Sequence, residues 1–286
     1  MMIQILFKFR KFLKYLGIYL IVISGVIIIL IPLLWMLSTA LKPLGETLLF
    51  PPKWVPTPPQ WSNFINGWKA LPFNIFLKNT LIITFTALLG QVLSSSLVAY
   101  GFARFRAPGK DLLFLILLGT MMIPEQVRLI PIYILFRILG WINTFKPLII
   151  PAYFGGGAFS IFLLRQFFMT IPFEYDEAAK IDGCNSFWIY LKIILPLSKP
   201  ALTTIAIFSF MGYWNDFMGP LIYLHSPEKY TLSLGLRMMN VPAEGGLVPW
   251  HYLMAVSLLV VLPCILIFFF AQKYFIQGVV VTGLKE

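Results

Sequence analysis

Six apolar runs, at about residues 15–37, 81–100, 112–123, 148–168, 202–223 and 253–274, alternate with polar segments along the chain. Roughly 20 apolar residues cover a hydrocarbon core of about 30 Å as a helix. The pattern therefore predicts an all-α, polytopic membrane protein with six transmembrane helices in a single transmembrane domain over residues 1–286: an N-terminal helix at about 15–37 and a core of five helices over about 81–274. The third run has an ambiguous outer end, because Pro124, Glu125, Arg128 and Pro131 follow it. Glu125 and Arg128 stand three apart and are expected to pair on one helix face.

The first run is preceded by Lys8, Arg10, Lys11 and Lys14, and the Ser38-Thr39-Ala40 after it imitates a signal-peptidase site. Signal-peptide cores hold only about 7–15 apolar residues, so the longer run predicts an uncleaved helix, kinked near its outer end by Pro32. Residues 42–78 are polar and rich in proline, which forbids a long helix. Trp54, Trp61 and Trp68 recur there at intervals of seven, a pattern expected of aromatics at the headgroup level. The second run carries Thr84, Thr86, Gly90, Gln91, Ser94, Ser95 and Ser96, small and hydroxylated residues that let membrane helices approach and hydrogen-bond. Gly155, Gly156 and Gly157 interrupt the fourth run and either allow close packing or mark a bend lining a path.

Composition agrees with the pattern: 59% hydrophobic residues and 12% charged residues lie outside the range of a soluble domain. The net charge of +11 is dispersed among apolar spans rather than gathered on a polar module, which argues for membrane topology and lipid contact, not nucleic acid. Thirteen Lys and Arg fall on the side of the N-terminus and nine on the other, where the loops are longer. The positive-inside rule then places both termini in the cytoplasm, in a multi-pass protein of the cell membrane. Cys184 and Cys264 form neither a disulfide framework nor a metal cluster, and His225 and His251 read as surface histidines. Catalytic residues and metal ligands are not indicated. Gly109-Lys110 lacks the upstream glycine and following hydroxyl of a phosphate loop, so ATP hydrolysis by this chain alone is not expected. Sparse intramembrane charge argues against a proton- or sodium-coupled carrier. Asp216, in Trp214-Asn215-Asp216, is the nearest candidate for the path of a hydroxylated solute, or else holds two helices together.

Residues 172–200 are polar where their surroundings are apolar. Pro172 suits a first helical turn, and Glu174, Asp176 and Glu177 lie where the helix dipole favours negative charge. Gly183 is placed for a left-handed C-cap, and Asn185 or Ser186 for the cap of a second helix running to Leu195. A helix of about twelve residues is roughly 18 Å long, too short to span. The segment reads as a helix-turn-helix, either docking on another surface through Ala178 and Ala179 with Glu177 beside them, or lying in the headgroups.

Glu177-Ala178-Ala179, then three residues, Gly183, nine residues and Ile193-x-Leu195-Pro196 resemble the cytoplasmic EAA loop of permease subunits in bacterial ABC importers. Phe162-Leu163-Leu164-Arg165-Gln166-Phe167-Phe168 before Ile171-Pro172, Ile181-Asp182-Gly183, Trp214-Asn215-Asp216 and Gln272-Lys273-Tyr274-Phe275 are similar to the carbohydrate branch, in particular its maltose-type second permease subunit. That resemblance implies a transport subunit without its own ATPase motif. It implies as partners a homologous permease subunit, two ATPase subunits that use ATP and Mg, an extracytoplasmic solute-binding protein and a sugar substrate, with no cofactor bound by this chain. It further implies that Glu177, Ala178, Ala179, Asp182 and Gly183 couple to the ATPase, that Trp214, Asn215 and Asp216 lie near the path, and that Asn240, Pro242, Glu244, Gly245 and Gly246 belong to a loop reaching the binding protein. A permease for a non-sugar solute shares the EAA loop; a self-contained secondary carrier would need its own coupling group.

Overall fold

The computed structural model describes residues 2–241 and 247–283, and of residues 2–10, 12 and 273–283 the backbone only. It is all-helical there: α1 Met2–Ala40, α2 Ser62–Ala70, α3 Phe73–Arg104, α4 Lys110–Gly119, α5 Glu125–Ile138, α6 Lys146–Ile149, α7 Ala158–Thr170, α8 Glu174–Ile181, α9 Ser186–Ile189, α10 Leu195–Leu197, α11 Lys199–Trp214, α12 Met218–Tyr223, α13 Leu232–Met239 and α14 Trp250–Gly283. Four stretches are long and apolar enough to cross a membrane: Leu13–Ala40, Phe73–Arg104, Lys146–Thr170 and Trp250–Gln272. Two more arise if each bent pair is one span, Lys110–Met122 with Glu125–Ile138 at 101° and Ser186–Leu197 with Lys199–Trp214 at 80°. The chain divides into two compact units, residues 1–71 with 238–261, and 72–237 with 262–286.

In the first unit α1 continues through Pro32, and its most apolar stretch is unburied, as for a helix facing lipid or another subunit, whereas Ser38, Thr39 and Ala40 at its end are buried. Its C-terminal end is fixed by polar contacts. The buried Asn63 amide donates to the carbonyls of Ala40 and Lys42, both at 2.8 Å, satisfying acceptors that the helix end leaves open. Lys42 is 1% exposed, and its Nζ sits 3.9 Å above the Trp35 ring. Burial pushes its ammonium down, against the pull of Glu46. Trp54 meets Trp35 edge-on with centroids 5.0 Å apart, whereas Trp61 stacks on Phe64, so the heptad-spaced tryptophans do different local work. Gly67 permits close approach of α2 to α14: a Cβ there would lie 3.2 Å from Tyr252 and Val256.

In the second unit α3 packs along α7 and α11. The hydroxyl-rich run in α3 supplies the contacts expected of it. Ser94 Oγ donates to Ala152 O at 2.7 Å, and Gln91 Nε2 donates to Ser160 Oγ at 2.8 Å and to Gly156 O. Asn79 Nδ2 donates to Glu228 O and Tyr230 O, both at 2.9 Å, and Leu232 N donates to Thr80 Oγ1, which anchors the connector after α12 to the start of α3.

The third run, expected over about 112–123, keeps those bounds to within two residues: it occupies α4 and a 3-10 turn, Thr120–Met122, then breaks before Pro124, whose missing N–H starts α5 afresh. Two expected boundaries are corrected. The fourth is split between α6 and α7, because Gly155, Gly156 and Gly157 all take positive φ (91°, 61° and 82°). This is the bend, and close packing comes with it: a Cβ on Gly156 would lie 2.6 Å from Gln91 O. The fifth, expected over 202–223, runs only from Lys199 to Trp214. Asn215 Nδ2 turns back to Met211 O at 2.9 Å, and Asp216 Oδ1 accepts the Gly219 N–H at 3.0 Å, so side chains displace the helical ladder.

Candidate functional site

The segment around α8 is organised by which face each residue takes. Residues 174, 177, 178 and 181 fall at helical spacing on one face; Glu174, Glu177 and Ala178 are exposed and Ile181 is 87% exposed. Asp176 and Ala179 point the other way and are buried, at 3% and 6%. Ala178 and Ala179 thus do not form one contact surface. Ala179 packs into a core with Tyr100 and Ala99 of α3, Leu164 and Phe168 of α7, and Ile189, Ile194 and Ile205. Ile181 is the exposed apolar residue that the residue pattern did not single out; its three-residue step from Ala178 is the signal that could have found it.

The helix starts at Glu174 rather than at Pro172, because the Phe173 carbonyl accepts the Asp176 and Glu177 N–H groups at 2.9 and 3.1 Å. It closes as expected at Gly183, with φ 80°, where Gly183 N donates to Lys180 O and Cys184 N to Ala179 O. Asn185 is the next cap, its Oδ1 accepting the Trp188 N–H at 3.0 Å. The second helix reaches past Leu195 to Leu197 through a π-turn, Tyr190–Ile194, which loosens the ladder just ahead of Pro196, a residue without an N–H.

The end of α3 holds this segment. Arg104 Nη2 donates to Ile171 O at 2.9 Å and lies 3.4 Å from Asp176 Oδ2, with its guanidinium 4.5 Å over the Phe173 ring. Burial pushes the Asp176 carboxyl up, against the pull of Arg104 and Lys180. Tyr100 Oη donates to Ser186 O at 3.0 Å, and Ser96 Oγ and Tyr190 Oη are 2.7 Å apart. A displacement of α8 is therefore met by α3 through charge, hydrogen bonds and packing together.

The second unit also carries an open cavity of about 730 Å³. Gly156 and Gly157 of the α6–α7 break line it, as do Tyr213 and Asp216 at the α11–α12 break and Glu125 and Arg128 of α5. Of the three path candidates only Asp216 reaches it. Trp214 is buried and stacks on Phe210 with centroids 5.3 Å apart, and Asn215 turns to Met211 O and to Cys264 Sγ at 3.8 Å. Glu125 and Arg128 share the cavity wall without forming an ion pair with each other; the ion pairs among the described residues are Lys53–Glu46 and Arg104–Asp176. Asn240 is exposed, and Pro242, Glu244, Gly245 and Gly246 lie outside the described residues. His225 is exposed as expected, but His251 is 6% exposed: it occupies the first turn of α14, its ring tilted at 40° to that of Tyr252 with centroids 4.0 Å apart.

The described residues thus form an all-helical protein with several membrane-length helices and a short helical segment held against the end of α3. Residues 91–281 match the family of binding-protein-dependent transport system inner membrane components, and the chain belongs to that family. It is 37% identical to a probable ABC transporter permease protein of Pyrococcus horikoshii over 76% of this chain and 79% of that one. It is 33% identical to the arabinooligosaccharides transport system permease protein AraQ of Halalkalibacterium halodurans, over 87% and 86% of the two chains. With the sn-glycerol-3-phosphate transport system permease protein UgpE of Yersinia pestis it shares 30% identity, over 92% and 94%. The crystal structure of a bacterial ABC transporter involved in the import of the acidic polysaccharide alginate has the same fold, with a TM-score of 0.81 and 24% identity over 92% of this chain and 97% of that one.

Proposed function

We propose that this chain is a permease subunit of an ATP-driven importer for a sugar or oligosaccharide. It forms the translocation path with a homologous permease subunit and receives its solute from an extracytoplasmic binding protein. Two separate ATPase subunits, which use ATP and Mg, drive it. The four long stretches, the bent pair Lys110–Met122 with Glu125–Ile138, and α11 entered from the end of the loop make six spans, with both termini and residues 172–200 in the cytoplasm. The excess of Lys and Arg on that side supports this orientation.

The observation that carries the reading is the two-sidedness of α8. Its outward face offers Glu177 as a charge partner and Ala178 as a place of close approach, beside Ile181, while Asp176 and Ala179 fasten the opposite face to α3 and the core. A lever needs one face for the motor and one for the load. Asp182 and Gly183 end the lever with a fixed turn. Closure of the ATPases would draw α8 and, through Arg104, swing α3 and the spans packed on it between inward-open and outward-open states.

Replacing Ala178 with tryptophan tests this in the reconstituted complex. ATP hydrolysis is expected to persist with uptake lost; normal uptake would count against the docking role. The similarity to a glycerol-3-phosphate permease favours a second reading, a phosphorylated polyol as solute, which the binding protein's ligand would decide.

A further inference from the structure

We infer that Asn143 is a positioning residue of the cavity wall: it clasps the turn after α5 to the connector after α12, so that α5, α6 and α12 move as one body. The inference rests on the importer reading and adds to it which elements travel together.

The clasp is built around one residue. Asn143 lies in the turn between α5 and α6 at φ 60°, a left-handed backbone that asparagine tolerates better than most other side chains. Its N–H donates to Tyr223 O at 2.7 Å, and its carbonyl accepts from Lys229 Nζ at 2.6 Å. Its Oδ1 accepts the His225 and Ser226 N–H groups at 3.1 and 3.2 Å, while Nδ2 donates to Ser226 Oγ at 2.7 Å. The position therefore asks for positive φ together with a short side chain that both donates and accepts; glycine meets the first demand and not the second.

The helices on either side explain why such a tie matters. Phe136 is the one buried residue of α5, so packing within the chain grips this helix near its C-terminal end. There Phe136 stacks on Trp141 and meets Tyr223 edge-on, both with centroids 5.4 Å apart. On the other flank α12 is pressed against α6: a Cβ on Gly219 would lie 2.8 Å from Leu148 Cδ2. The connector is the anchored end, because Asn79 of α3 holds the Glu228 and Tyr230 carbonyls. A tie from an anchored connector to a sparsely packed helix decides where that helix stands, and α5 carries Glu125 and Arg128 to the cavity wall, beside Leu148 of α6 and Gly219 and Tyr223 of α12. Hinges ordinarily lie in the loops between elements; here the two loops placed to serve as hinges are bonded to each other.

The test uses the assembled transporter in lipid nanodiscs, with Cys184 and Cys264 replaced by serine and nitroxide labels on single cysteines at the exposed positions Ile138 of α5 and Leu221 of α12. Double electron–electron resonance reads their separation without nucleotide and with ATP and vanadate. One separation, unchanged between the two states, is expected. In Asn143→Gly, which keeps the left-handed turn and removes the three side-chain bonds, the distribution should broaden or shift with nucleotide. Asn143→Asp keeps the acceptor, and the Ser226 hydroxyl can turn to donate to it, so the wild-type distribution should return. Lys229→Leu leaves Asn143 itself alone and should broaden the distribution by less; chromatography verifies assembly of each complex. A wild-type separation that changes with nucleotide, or an Asn143→Gly distribution that matches the wild type, overturns the inference. ATP hydrolysis by the same preparations separates the two levels: a constant separation in an assembly that neither retains an ATPase subunit nor hydrolyses ATP sinks the importer reading and leaves the clasp standing.

Discussion

Arg104, the last residue of α3, and Asp176, in the first turn of α8, face each other at 3.4 Å with side chains only 2% and 4% exposed. The contact is ionic rather than a tight hydrogen bond, because Arg104 Nη2 donates to Ile171 O and no partner among the described residues takes Arg104 Nε or Nη1. Removing either partner leaves an isolated buried charge, which costs about 3–5 kcal/mol. Arg104→Leu and Asp176→Leu should therefore each lower the melting temperature of the complex. The double variant should be less harmful than the sum, a non-additivity that a double-mutant cycle measures. A role in coupling adds a second readout: the ratio of solute moved to ATP hydrolysed should fall in the single variants, which a purely structural pair would leave unchanged.

The same carboxyl predicts a pH dependence. Burial pushes Asp176 above the ordinary carboxylate range in spite of Arg104 and Lys180, so the folded state binds this proton more readily than the unfolded chain does. Its contribution to stability is then full below the ordinary range and is lost as pH rises through the raised value. Asp176→Asn removes the titration. Melting curves across acid to neutral pH should show the wild type losing stability relative to Asp176→Asn as pH rises over that window; parallel curves would contradict the assignment.

Two glycines with similar backbones separate strain from crowding. Gly183 has φ 80° with open space where a Cβ would stand, and Gly156 has φ 61° with Gln91 O only 2.6 Å from that point. An alanine at Gly183 should cost about 1 kcal/mol, from the left-handed backbone alone. At Gly156 the clash adds to it, for a total of roughly 2–4 kcal/mol. Thermal unfolding of the two variants should rank them in that order, and equal shifts would mean that the α6–α7 break yields to accommodate the methyl group.

Asn63 makes a local prediction in the first unit. Its amide serves the Ala40 and Lys42 carbonyls while itself 6% exposed, so Asn63→Leu leaves two buried acceptors open at a cost of about 1–3 kcal/mol. Hydrogen exchange should accelerate around residues 40–42 and 60–70 and leave α7 and α11 unchanged.

Much of this architecture is legible in the residue order because lipid imposes a simple rule: a span must be long, apolar and internally bonded. The same rule explains what was not legible. Hydropathy does not register where the helical ladder breaks inside an apolar run, so the Pro124 break with its 101° bend and the Asp216 break follow from a missing N–H and particular side chains rather than from the run lengths. In the α8 segment the caps at Gly183 and Asn185 could be read because cap chemistry is local. The division of labour between Ala178 and Ala179 could not, since which face is buried is settled by distant partners: Arg104 of α3 beside Asp176, and the core that takes Ala179. His251 misled for a related reason: an imidazole beside an apolar run suggests a surface position until packing against Tyr252 is known.

The most direct test of the lever is site-specific crosslinking in the assembled transporter, with Cys184 and Cys264 replaced by serine and single cysteines placed in turn at Ala178, Ile181 and Ala179. The lever account predicts adducts with the ATPase subunit from positions 178 and 181, changing in yield with nucleotide, and none from 179. Absence of any adduct at 178 and 181, or labelling of those cysteines by an impermeant thiol reagent from outside the cell, would contradict it.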